Sequence, residues 1–380
     1  MEQLPRLPTM TFPARTLALP DRGALIAQAR HAWLHGGASA GPAPLAPWIA
    51  RSWQRCLAAG RTPDQRVVFD AVAPSAQRQA KERHGPLLGA ARPVLERLSR
   101  AIAGTRYFAM LTDAQGTVIE VGPLSGHDDP ATRSIARVGV DLSERAVGTT
   151  AIGAALAEQS AVWLHRGEHF FDDTSVYTCA GAPLFDPEGR CAGMLDLTGV
   201  NVVERPELQH LAEHSARAIQ NAWLRSLPCA LLLQFNWPGS LAALEAGVDG
   251  DGLLCLDADG LVLGANTVAR QLLPLPSQGR GSATDLFAVP TSLLFDAAAR
   301  HPTPAEVPLW SGLRLHVRAL RRDGRATAGT APAARLRDVQ ASLIEQAVRE
   351  ARGNVAEAAR ALGVSRATVY RKLSAGTGKR

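Results

Sequence analysis

LIEQAVREARGNVAEAARALGVSRATVYRKL, residues 343–373, reads as three short helical patterns divided by two turn signals. Val339, Leu343, Ile344, Ala347 and Val348 recur at three- and four-residue steps, which places them on one face of a helix ending near Ala351. Gly353-Asn354 stops that helix, and Val355, Ala358, Ala359 and Leu362 give a second, small-faced one. Gly363 stands where a helix end needs a residue tolerant of positive φ. Ser365 is a good N-cap for a third helix, with Val369 and Leu373 as its inward pair. Arg366, Thr368, Tyr370, Arg371 and Lys372 are left on its outer surface. Arg there suits guanine edges in a major groove, and Thr, Tyr and Lys suit phosphates.

Charge agrees with that reading. Residues 335–380 hold ten Lys plus Arg against four acids, a net +6 that equals the net charge of all 380 residues. The rest of the chain sums to zero, so the whole positive excess lies on this tail, as a footprint for phosphate requires.

GNVAEAARALGVSRATVYRKL (353–373) resembles the Fis-type DNA-binding domain at the C-terminus of bacterial enhancer-binding regulators. The resemblance implies that Ser365, Arg366, Thr368, Tyr370, Arg371 and Lys372 form the DNA-reading surface, and that the first helix dimerises. Double-stranded DNA and a second copy of the chain are therefore the expected partners.

Upstream, helical periodicity covers 21–33, 47–59 and 75–103. Three hairpins follow, each turning on an Asp-x-x-Gly: Asp113–Gly116, Asp186–Gly189 and Asp257–Gly260. Between the first two lies ERAVGTTAIGAALAEQ (144–159), a glycine-marked approach followed by a Thr-capped helix. Trp163–His165 and Phe170-Phe171 read as short strands, and Pro206 opens a helix with Leu208, Leu211, Ser215, Ile219 and Trp223 on one face. Helices at the ends with strands between give an α+β multidomain chain, with an all-α C-terminus.

RSWQRC (51–56), ERAVGTTAIGAAL (144–156) and GEHFFDDTSVYTCAGAPLFDPEGRCAGMLDLTG (167–199) resemble the GAF-type sensory region of the acetoin-catabolism activator family. The resemblance implies an antiparallel sheet flanked by helices and a small-molecule effector. Thr150 stands where that family usually has Asn. Residues 250–290 resemble the start of a degenerate PAS-type module. The expected organisation is a helical region 1–74, a GAF-like sensor 75–226, a PAS-like module 227–320, a linker 321–337 and the helix-turn-helix 338–380.

The family it resembles normally carries an AAA+ ATPase between sensor and DNA reader. No GxxxxGK[ST] occurs in this sequence, which argues against a phosphate cradle and against direct remodelling of sigma-54 polymerase. RNA polymerase or another regulator is then the expected route from DNA occupancy to transcription.

His165, His169, Tyr177 and Cys179 are the candidate lining of an effector cavity. His165-Arg-Gly-Glu-His169 also spells HxxEH, a zinc-peptidase pattern that needs both His on one helical face and the Glu as base. Gly167 in its middle and expected strands on either side oppose that helix, and in the resembling family an EHF stretch occupies a loop here. No catalytic residue, metal or cofactor is expected. A zinc hydrolase and an effector-independent accessory DNA-binding protein are the alternative functions. Five cysteines without CxxC spacing read as reduced core thiols, and the absence of a long apolar run reads as a cytoplasmic chain without a membrane span.

Overall fold

The computed structural model describes residues 22–35, 45–69, 72–124, 129–240, 250–276, 281–300 and 304–322, and Val355 alone beyond them. The helix-turn-helix expectation, the DNA-reading residues and the linker past Arg322 therefore lie outside the described residues, and Val355 is helical and half-buried. The chain divides into a unit 1–326 and a unit 327–380; the first is described here.

Four helices lead in: α1 (Arg22–His35), α2 (Pro47–Ala58), α3 (Pro74–Arg83) and α4 (Gly85–Ile102). The expected long helix over 75–103 is broken at His84, whose backbone serves as C-cap of α3 and N-cap of α4. Proline opens α2 and α3, where its missing N–H costs nothing.

The first sheet holds β1 (Tyr107–Asp113), β2 (Val118–Val121), β3 (Val162–His165), β4 (Tyr177–Phe185) and β5 (Cys191–Val200) in the order β2-β1-β5-β4-β3. Every neighbouring pair is antiparallel. Period-two alternation decides the two faces. One face, with Tyr107, Ala109, Leu111, Ala180, Leu195 and Leu197, packs on α4 and on α8 (Leu208–Ser226). The other, with Phe108, Met110, Tyr177, Cys179 and Met194, is covered by α5 (Pro130–Ile135), α6 (Glu144–Val147) and α7 (Ala151–Glu158). Phe170 and Phe171 form no strand: they sit in the loop between 3-10 turns at Arg166–Glu168 and Asp172–Thr174, edge to face with each other and buried with residues of α2.

The second sheet holds β6 (Leu231–Asn236), β7 (Gly252–Leu256), β8 (Val262–Ala265), β9 (Ala305–Pro308) and β10 (Arg314–Arg321), again fully antiparallel, in the order β8-β7-β6-β10-β9. This is the order of the first sheet with the last strand moved to the front. β7 and β8 stand where β1 and β2 stand, and β6, entering straight from α8, takes the central place of β5. What reads in the sequence as the start of a degenerate module is thus part of a five-stranded sheet with a permuted start. Helices α9 (Thr267–Leu272), α10 (Ala283–Leu286) and α11 (Thr291–Arg300) cover one face.

All three Asp-x-x-Gly turns work the same way. The glycine N–H bonds back to the Asp carbonyl, at 3.1, 2.8 and 3.2 Å in turn, and the glycine takes φ of +87°, +88° and +82°. The Asp carboxylate accepts backbone N–H groups of the turn, for example Thr117 at 2.9 Å and Leu261 at 2.9 Å.

Candidate effector cavity

Two sequence motifs that lie far apart in the chain are one structure. Arg55 forks onto Glu144 at 2.6 and 2.7 Å, Ser52 Oγ donates to the same carboxylate at 2.7 Å, and Ser52 and Thr149 share a hydrogen bond of 2.7 Å. Arg51 reaches Glu158. RSWQRC therefore seats α2 on the ERAVGTTA turn, and Trp53, buried among the aromatic side chains, donates Nε1–H to the Glu168 carbonyl at 3.0 Å. Gly148 has φ +68°, and a Cβ there would meet the Phe171 ring at 2.8 Å, so the turn and the Phe pair require glycine. Thr150 caps α7 by accepting from Gly153 N–H.

Behind this turn, a cavity of about 30 Å³ lies against the sheet, the room of about one water. Met110, Ile135, Leu142, Val147 and Ile152 make it apolar, and His169, Tyr177, Cys179, Thr150 and Thr198 bring polar atoms to it. Three of the four candidate residues thus converge. His165 does not join them: it pairs with Thr178 across β3 and β4, one step out of phase with Cys179, so it belongs to the opposite face. There its ring stacks on Trp163 and hydrogen-bonds Thr178 Oγ1 at 2.8 Å. The two imidazoles of the HxxEH letters thus lie apart, His165 against Trp163 at the end of β3 and His169 in the following loop on the cavity, and Glu168 is occupied, accepting His165 N–H at 2.7 Å and Arg22 at 2.7 Å. The three residues make no metal-ligating or hydrolytic set.

The polar atoms form a chain through the apolar wall. His169 Nδ1 donates to the Arg166 carbonyl at 2.8 Å, which leaves Nε2 as an acceptor facing Cys179 Sγ at 3.7 Å. Cys179 Sγ lies 3.2 Å from Thr198 Oγ1, and Thr198 donates to Asp196 Oδ2. Tyr177 donates to the Ala131 carbonyl at 3.1 Å.

Burial sets the protonation states. It pushes His169 down to about 4 and the Cys179 thiol well above its ordinary value, with Asp196 adding to the latter. Both are neutral at physiological pH, so Cys179 and His169 are not an ion-paired nucleophile. Asp196 has no solvent exposure and is pushed up to about 7 by burial, against the lowering effect of Thr198. Its Oδ1 has no hydrogen-bond partner among the described residues. An uncharged, sparsely polar cavity of this kind suits a small neutral molecule.

Sequence reasoning missed Asp196 and Thr198. The signal was present in Met194-Leu-Asp-Leu-Thr198, where a lone acid interrupts a strand otherwise apolar on both faces. It also missed Arg22 and Arg30 of α1, whose partners lie in residues 167–172.

Comparison with known proteins finds two family matches in the chain. Residues 24–221 match the family described as MimR, N-terminal domain, and residues 335–375 match the Bacterial regulatory protein, Fis family. The acetoin catabolism regulatory protein of Cupriavidus necator is 32% identical over 255 residues, covering 66% of this chain and 37% of that protein. The propane 2-monooxygenase operon transcriptional activator MimR of Mycolicibacterium goodii is 29% identical over 234 residues, covering 58% of this chain and 38% of its own length. The chain thus spans under two-fifths of the length of these curated relatives. Among solved structures, the Escherichia coli DhaR(N)–DhaL complex aligns with 73% of this chain at 18% identity and a TM-score of 0.43. Among the described residues, no helix is long and apolar enough to cross a membrane.

Proposed function

The chain belongs to the family described as MimR, N-terminal domain, and on that premise we propose that it is a cytoplasmic transcriptional regulator that senses a small neutral molecule and reads DNA as a homodimer. The observation that carries this is the Fis-family match over 335–375, within residues 335–380, whose net charge of +6 equals that of the whole chain. Ser365 caps the recognition helix, Arg366 and Arg371 face base edges or phosphates, and Thr368, Tyr370 and Lys372 hold the backbone. Residues 75–226 are the sensor, 227–320 a second module, 321–337 the linker and 338–380 the DNA reader. His169, Tyr177 and Cys179, with Thr198, are the polar contacts of the sensing cavity.

Residues 222–334, between the two family matches, hold the second sheet and no GxxxxGK[ST]. Regulation then works through operator occupancy, alone or with RNA polymerase or another regulator, rather than through ATP hydrolysis. A two-fold dimer expects a near-palindrome with half-sites about one helical turn apart.

Arg371→Ala tests the reader. Gel-shift titration on upstream DNA should show specific affinity weakened by about 1 to 3 kcal/mol, roughly 5- to 150-fold, with non-specific binding much less affected. Equal weakening on all sequences would make Arg371 a phosphate contact, and unchanged affinity would remove it from the interface.

A second reading, an effector-independent accessory DNA-binding protein, is favoured by the volume of the cavity, which admits about one water.

A further inference from the structure

Helices α5, α6 and α7 and the sheet supply most of the cavity lining, and one further wall is a loop. Residues 166–172 carry His169 onto the cavity, and they run as a 3-10 turn and loop rather than as a strand. Two elements hold them: α2, whose Trp53 donates to the Glu168 carbonyl, and α1, which makes the larger set of bonds. Arg30 Nη1 donates to the carbonyls of Gly167 at 3.3 Å and His169 at 2.5 Å, and Nη2 donates to the Phe170 carbonyl at 2.6 Å and to Asp172 Oδ1 at 2.7 Å. The guanidinium also lies 5.8 Å from the Trp53 ring centroid and is only 15% exposed. One turn earlier along α1, Ile26 is buried, and its side chain stands 3.2 Å from where a Cβ on Gly167 would be. Arg22, at the start of the helix, pairs with the buried Glu168 at 2.7 Å.

A planar guanidinium that gathers carbonyls of three residues in one short segment holds that segment as a unit, and the bonds are lost together when it withdraws. A molecule larger than water enters only if a wall moves.

We propose that α1 is the gate of the cavity, with Arg30 as the positioning residue that holds His169 and its segment closed, so that occupancy of the cavity is read out as release of α1. This inference rests on the reading of the cavity as a sensing site and adds how that site opens.

Cys179 supplies the test, because its thiol lines the cavity and is buried. Iodoacetamide, small and uncharged, labels it only when the wall opens: the thiolate sulfur bonds the methylene carbon, iodide leaves, and the thiol proton passes to buffer. Rates are followed peptide by peptide in the full-length protein. Cys229 and Cys255, buried in the core between α8 and the second sheet, report global unfolding in the same sample.

Arg30→Ala should raise the Cys179 labelling rate at least tenfold while those of Cys229 and Cys255 stay within twofold. Arg30→Lys, which keeps the charge but not the fork, should fall between. In the unaltered protein, amide exchange of 22–35 and 166–172 should report openings of equal free energy. The gate is overturned if Cys179 is no faster in either variant, or if all three thiols speed up together. It is equally overturned if Phe69→Ala opens Cys179 and Arg30→Ala does not, since the route then runs past residues 66–69. No effector is used, so a failed DNA-binding experiment leaves this result standing, and a failed gate leaves the proposed regulator standing.

Discussion

Asp196→Asn should remove a pH-dependent loss of stability of about 4 kcal/mol from the sensor. The carboxyl moves from an ordinary 3.8 to about 7 on burial, roughly three pH units at about 1.4 kcal/mol each. Its folded-state pKa is raised, so the folded form keeps a proton that the unfolded chain releases. The penalty is absent below about pH 4, grows as pH rises, and is complete above about pH 7. His169 acts in the opposite sense, because burial depresses it from 6.5 to about 4. Its unfolded form takes up a proton as pH falls below about 6.5, and stability is lost down to about pH 4. Between about pH 4 and 6.5 the two slopes oppose each other in the unaltered protein. In Asp196→Asn only the histidine slope remains, and stability should rise with pH to about 6.5 and then level. Denaturant titrations from pH 4 to 8 give the difference between variant and parent, which should climb by about 4 kcal/mol. The amide leaves a constant offset, since one polar atom of the group stays unpartnered as Oδ1 is now. A difference that stays flat within about 1 kcal/mol would show that Asp196 is ionised in the fold at every pH.

Gly193→Ala should cost more than about 3 kcal/mol and abolish the cooperative transition of the first sheet. Gly193 lies in β5 with φ +155°, paired with Asp113 on one side and Leu184 on the other. A Cβ there would stand 1.9 Å from the Thr112 carbonyl oxygen and 3.0 Å from its carbon. The obstacle is backbone of a neighbouring central strand, so relief requires moving β1 and breaking its ladder to β5. Gly60→Ala is the control: its φ is +72° but no atom lies within 4 Å, so only the cost of left-handed backbone, about 1 kcal/mol, applies. Comparable losses at both sites would mean that backbone angle rather than the clash decides the effect at Gly193.

Much of this architecture could be read from local chemistry. The three hairpins were legible because Asp-x-x-Gly encodes its own turn through a carboxylate acceptor and a positive-φ glycine. RSWQRC and ERAVGTT were legible as motifs, but that Arg55 and Ser52 meet Glu144 is long-range information. Strand β6 escaped because Leu231–Leu233 is an unbroken apolar run with no alternation, and its place in the sheet precedes the hairpin it joins. His165 was grouped with His169 because the two are close in sequence, while the pleat sends it to the other face. Asp196 and Arg30 escaped for different reasons. A buried acid departs from patterning at a single position, and a clamp between α1 and residues 167–172 leaves no local trace.

The sensor also carries no charged nucleophile: its Cys, His and Asp are each shifted toward the neutral form by burial. That chemistry suits recognition of an uncharged molecule, and the function proposed above assigns the output of the chain to residues 338–380. DNase footprinting of the full-length protein on the DNA upstream of its own operon tests that output most directly. The account expects two protected half-sites about one helical turn apart, related by two-fold symmetry, with affinity that falls steeply as salt rises. Absence of any protected repeat at concentrations that coat non-specific DNA would contradict it.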